Sequence, residues 1–110
     1  MTLGEVIAAL ERLDAELIVP LGFARPHSYR GYYDELAFEP ESNVTVGVML
    51  SDARSAPGTT YQGWKGGDFT MNEHTPCWLA QQGDTGESIG PTFLGLLLRD
   101  AVEPAQGGTE

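Results

Sequence analysis

An α+β domain with three helices and a small, mainly antiparallel sheet, in the order α-β-β-α-β-β-β-α, is predicted by three features of this sequence. Two segments repeat apolar residues at three- and four-residue intervals behind a capping threonine, as amphipathic helices do. Short apolar or alternating runs separated by Gly and Pro read as strands. A chain of 110 residues has the size of one domain, so residues 1–102 are expected to share a single core, followed by a flexible tail over 103–110.

The first helix is expected over residues 2–14. Thr2 and Glu5 have capping-box spacing, and Leu3, Val6, Ile7, Leu10 and Leu13 form one stripe. Residues 17–21 are a short apolar run closed by Pro20, which suits a buried strand. The periodicity is then lost, and GFARPHSYRGYY over residues 22–33 reads as a structured loop. Residues 35–39 alternate Leu36 and Phe38 with polar or small neighbours, as a half-exposed strand does. A turn is expected over 40–43. Thr45 then caps a second helix with Val46, Met49, Leu50 and Ala53 on its buried face, ended by Pro57-Gly58.

Three further strands are expected over 59–64, 68–71 and 77–81, the first two joined as a hairpin by Lys65-Gly66-Gly67. Residues 82–88 read as a Gly-rich loop. Pro91 opens a third helix running to about residue 101. Thr2-Leu3-Gly4 and Thr45-Val46-Gly47 echo one another at two helix starts, an echo too short to establish a repeat.

Composition excludes several classes. No apolar run approaches the roughly 20 residues of a spanning helix, and no basic-then-apolar leader is visible, so a cytoplasmic protein without membrane contact is expected. The lone Cys77 forms no intrachain disulfide and supports no thiolate-rich metal site, consistent with a reducing compartment. With 16 acidic and 6 basic residues the net charge is −10, which disfavours nonspecific nucleic-acid binding. No Walker or Rossmann fingerprint is present, so no cofactor is expected. His74 with Glu73 and Cys77 lacks the further ligands of a metal site, and Cys77 between Pro76 and Trp78 reads as an inert buried thiol more readily than as a nucleophile.

The cations are informative. Arg54 and Arg99 fall in last helical turns, where they meet the negative end of the macrodipole, and Arg12 falls on a polar helix face. Arg25, Arg30 and Lys65 have no such explanation. Residues 17–33 hold no acidic residue and interleave Arg25 and Arg30 with His27, Tyr29, Tyr32 and Tyr33. Arg grips phosphate in bidentate fashion, and Tyr stacks on a base or donates its hydroxyl. Lys65 stands in Gly63-Trp64-Lys65-Gly66-Gly67, where glycines let backbone amides face an anion. Arg25, His27, Tyr29, Arg30, Trp64 and Lys65 are therefore the candidate ligand-binding residues, with no catalytic and no metal-binding residue expected. The plainer reading pairs the arginines with Asp34, Glu35 or Glu39 and packs the tyrosines. Contact between the two segments does not follow from sequence.

The segments PHSYRGYYDELAFEP over residues 26–40 and YQGWKGGDFTM over residues 61–71 resemble a family of small actinobacterial and phage proteins, generally without assigned function, across residues 2–100. The size, α+β character and Arg-aromatic loop are also similar to the phage anti-Thoeris sponge proteins. That second similarity implies a symmetric oligomer that sequesters a cyclic ADP-ribose isomer without breaking it, in the host cytoplasm. The candidate residues rest on the cation distribution and not on this similarity. The alternatives are a protein-interaction module whose acidic surface engages and inhibits a basic host protein, with Phe93, Leu94, Leu97 and Leu98 as a subunit face, and a small hydrolase of a phosphorylated substrate.

Overall fold

The structure, a computed structural model, describes residues 1–81 and 85–104. The tail expected over 103–110 and the loop expected over 82–88 fall partly outside them. Three helices and two sheets are present among the described residues: α1 (Leu3–Glu11), β1 (Ile18–Ser28), β2 (Leu36–Thr45), α2 (Val46–Arg54), β3 (Thr60–Gln62), β4 (Asp68–Thr70), β5 (Cys77–Ala80), β6 (Gly86–Ser88) and α3 (Pro91–Arg99). The expected α+β fold, with a mainly antiparallel sheet, is the observed one. None of these helices is long and apolar enough to cross a membrane.

The capping signals act as the residues dictate. The Glu5 N–H donates to Thr2 Oγ1 at 3.3 Å, and the Thr2 N–H donates to Glu5 Oε1 at 2.9 Å, closing the capping box of α1. In α2 the Val48 N–H donates to Thr45 Oγ1 at 3.1 Å. The Thr-aliphatic-Gly echo marks a shared docking geometry. The N–H of Gly4 reaches the carbonyl of Glu73 at 2.9 Å, and that of Gly47 reaches the carbonyl of Ala15 at the same distance. At either glycine a Cβ would stand 3.2 Å from that carbonyl oxygen, so each helix start lies tight against a neighbouring segment.

The main sheet has the order β1-β2-β5-β6, with β2 and β5 parallel and the other two pairings antiparallel. β3 and β4 form a separate antiparallel hairpin. Leu3, Val6 and Leu10 of α1, Val46, Met49 and Ala53 of α2, and Leu94 of α3 are buried in one core with Phe23 and Phe38 of the sheet. The Phe23 and Phe38 rings meet at 4.8 Å between centroids. Burying such a side chain contributes roughly 1.5–3 kcal/mol, so this core accounts for the main cohesion of the domain.

Three expectations are corrected. β1 continues through the segment expected as a loop and ends only at Ser28. Between Ala24 and His27 it carries one more residue than β2 does between Glu39 and Ala37, a β-bulge that holds Arg25 at φ 51°. β2 likewise runs through the expected turn at 40–43. Pro40 lies past Phe38, the last residue paired with β5, so β2 has an open edge there and tolerates a residue without an N–H. β6 lies at the end of the expected Gly-rich loop and adds a strand to the predicted order.

Candidate functional site

The connection between β1 and β2, residues 29–35, is folded on itself. The Tyr29 N–H donates to the Glu35 carbonyl at 2.8 Å, and the buried Ser28 hydroxyl donates to the Tyr33 carbonyl at 2.6 Å. Its side chains leave in two directions. Tyr29 stacks on Trp78 of β5 at 4.6 Å between centroids, and Tyr32 tilts against both rings at 6.0 Å. Trp78 Nε1 donates to Glu35 Oε1 at 2.6 Å, which anchors the far end of the loop.

Arg30 and Tyr33 go the other way, to the β3–β4 hairpin. Tyr33 meets Phe69 edge-on at 5.7 Å, and the Arg30 guanidinium lies 4.1 Å from the centroid of Trp64. The turn is closed by the Gly63 N–H donating to the Gly67 carbonyl and the Gly66 N–H donating to the Gly63 carbonyl, both at 2.9 Å. Gly66 and Gly67 take positive φ there, which glycine adopts without strain. Lys65 Nζ lies 5.7 Å from the same indole. The two segments singled out in the sequence therefore meet, and they meet at Trp64.

The six candidates divide into two groups. Arg30, Trp64 and Lys65 converge. Arg25, His27 and Tyr29 are engaged within the fold. Arg25 is ion-paired with Glu41, its backbone N–H donates to Asp52 Oδ2 at 2.8 Å, and the Glu41 hydrogen bond raises its pKa. His27 has Nε2 2.6 Å from Glu39 Oε2 and Nδ1 2.9 Å from the Ser28 carbonyl. Tyr29 is 5% exposed beneath Trp78 and Tyr32. The carboxylates that answer Arg25 and His27 come from β2, opposite them in the sheet, and not from the adjacent loop.

Arg30 and Lys65 differ from the paired cations. Among the described residues no carboxylate pairs with either, whereas Arg25, Arg54 and Arg99 face Glu41, Glu11 and Asp100. Arg30 Nε is buried without a hydrogen-bond partner among those residues. The indole beside them is 60% exposed. A cation over an aromatic face at such a site gains about 0.5–1 kcal/mol, enough to bias the orientation of a long side chain. Tyr32, 58% exposed two residues from Arg30, was not among the candidates; its position in the acid-free aromatic run was the available signal.

No family model matches this chain, and neither does a curated protein or a solved structure. Geometry alone speaks for the chemistry. The only thiol is buried and pushed up to about 12 by desolvation, so Cys77 is a poor nucleophile at neutral pH. His74 is exposed, with its backbone N–H bonded to Asn72 Oδ1 at 2.7 Å. Among the described residues no group of three His, Cys, Asp or Glu side chains could hold a metal ion. At the site Trp64 and Lys65 are exposed and Arg30 is half-buried. A groove of about 360 Å³ lies elsewhere, between β1, β2, β5 and α3, and another of about 380 Å³ lies between β1, β2 and α2.

Proposed function

We propose that this protein binds a small nucleotide-like anion without transforming it, with Arg30 and Lys65 on the phosphate and Trp64 on the base. One observation carries this reading. In a chain of net charge −10, two cations without a carboxylate partner among the described residues stand beside one exposed indole. A guanidinium held by an indole keeps nitrogen donors directed at an anion, and an exposed ring offers a face for stacking. The resemblance to sponge proteins supplies the biological form: capture of a cyclic ADP-ribose-type signal by a phage-encoded binder.

Thermal melting of the purified protein against nucleotides, cyclic dinucleotides and cyclic ADP-ribose isomers tests it. Ligand at a hundredfold excess over its Kd adds roughly 2.7 kcal/mol. At about 4–8 °C per kcal/mol for a domain of this size, that is a shift of more than 10 °C. Arg30→Ala and Trp64→Ala abolish the shift while the unliganded melt moves by only a few degrees, and Arg25→Ala leaves the shift in place. The ligand returns chemically intact after heat denaturation. A ligand converted to product, or no shift with any of these anions, overturns the reading.

A protein-interaction module is the second reading, favoured by the exposure of Trp64. Exposed Trp64 beside Arg30 has the composition of an interface hot spot. A stoichiometric protein partner released by Trp64→Ala, with no small-molecule shift, selects it.

A further inference from the structure

The Trp64 site is a small positive spot in an acidic setting, and that contrast limits what it takes up. Arg30 and Lys65 lie 4.1 Å and 5.7 Å from one indole centroid, so both positive charges are gathered at a single ring. The segments that carry them are not basic. Residues 29–35 and 60–70 together hold these two cations and three carboxylates, Asp34, Glu35 and Asp68. Glu35 accepts from Trp78 Nε1, on the other side of the loop. Asp34 and Asp68 are exposed, and no ion pair or side-chain hydrogen bond engages either among the described residues. Both stand on the elements that build the site. Asp34 follows Tyr33, whose ring meets Phe69 of the hairpin edge-on, and Asp68 pairs with Gln62 across the hairpin, three positions from Lys65.

A negative charge on a ligand is attracted only while it stays near Arg30 and Lys65. Beyond them it meets Asp34, Asp68 and the field of a chain carrying −10. One phosphate resting on the two cations satisfies that arrangement. In a linear polyphosphate each further phosphate stands farther from the ring that the cations share, and so enters the repulsive field. A uniformly basic pocket behaves in the opposite way: added phosphates add affinity there, and salt removes it.

We propose that Asp34 and Asp68 set the charge of the ligand, so that the site accepts a nucleotide of low negative charge and discriminates against triphosphates. This rests on the reading of the Trp64 site as a nucleotide-anion site. Calorimetric titration with the mono-, di- and triphosphates of the common ribonucleosides, free of divalent cations, tests it. Salt is raised from about 0.01 M to about 1 M, which shortens the screening length from about 30 Å to about 3 Å. At low salt the monophosphate binds more tightly than the triphosphate of the same nucleoside, and the gap narrows as salt rises. Asp34→Asn with Asp68→Asn raises triphosphate affinity relative to monophosphate by at least roughly twofold, the worth of one charge pair about 8 Å apart in water. That double variant melts with wild type, because neither exposed carboxylate holds a bond that the amide would lose. Glu16→Gln, an equal charge change per residue placed before the opposite end of β1, leaves the ratio unchanged. A triphosphate that binds more tightly than its monophosphate and weakens with salt, or a double variant with an unaltered ratio, overturns this inference and leaves the reading of the site standing. Binding of none of the series overturns that reading, and this inference with it.

Discussion

Replacing Gly63 by Ala places one methyl group where three atoms already stand. The new Cβ would lie 2.7 Å from the Gly66 carbonyl oxygen, 2.9 Å from Phe69 Cε2 and 3.0 Å from Tyr33 Cδ2. None of these yields easily. The carbonyl belongs to the tight turn closed by two 2.9 Å hydrogen bonds, and the two rings hold one another edge-on at 5.7 Å. Relief requires the turn to open or the hairpin to lift from the 29–35 loop. Overpacking of this kind costs about 1–3 kcal/mol, and the absence of a flexible neighbour places Gly63→Ala at about 2–3. At about 4–8 °C per kcal/mol the melting temperature falls by roughly 10–20 °C, read by calorimetry or circular dichroism. Gly95→Ala is the control: Gly95 is interior to α3 with nothing within 4 Å of its Cβ position, so alanine stabilises by about 0.5–1 kcal/mol. A Gly63→Ala protein that melts with wild type would show that hairpin and loop are not packed as described.

Three other outcomes follow from the same structure. Thr45→Ala removes the acceptor of the Val48 N–H and lowers stability by about 1 kcal/mol, measured as a shift of the urea midpoint at constant slope. Phe38→Ala, which empties a fully buried site against Phe23, costs about 3–5 kcal/mol and leaves little folded protein at 37 °C. Cys77 resists thiol reagents in the folded state, and its titration makes stability fall in alkali. The thiol pKa rises from its ordinary 9.0 to about 12 on burial, so the unfolded chain loses that proton first. The stability it contributes is whole below pH 9 and is lost as pH rises from 9 towards 12, by urea melts at stepped pH.

The helices were legible because their signals are local. Thr2 with Glu5, Thr45, and Pro91 name the starts of three helices, and the three- to four-residue apolar spacing names the buried sides of the first two; in α3 Leu94, expected on a subunit face, is instead buried in the core. The ends of β1 and β2 were not legible, since Arg25-Pro26 and Pro40-Glu41 carry the residue types of loops. What holds them extended is the partner strand: Ala24 opposite Glu39, and Phe23 opposite Pro40. β6, three residues long beside glycines, has no pattern of its own and exists by pairing with β5. For the site, the absence of acids over residues 17–33 correctly drew attention to the Arg-aromatic segment. It could not separate Arg25 from Arg30, because the carboxylate that answers Arg25 is 16 positions away on the neighbouring strand.

The β3–β4 hairpin stands apart from the main sheet, and its chain enters and leaves side by side: Thr60 pairs with Thr70, their hydroxyls 2.7 Å apart. Whatever is threaded between those two threonines returns to the same doorway. A lineage could lengthen the turn, exchange its tryptophan or reverse its charge without moving a residue of the four-stranded frame. The loop facing it, tied down at Ser28 and Glu35, is far less free to drift. If the proposed function holds, new specificities would be expected to arise in the hairpin and not in that loop.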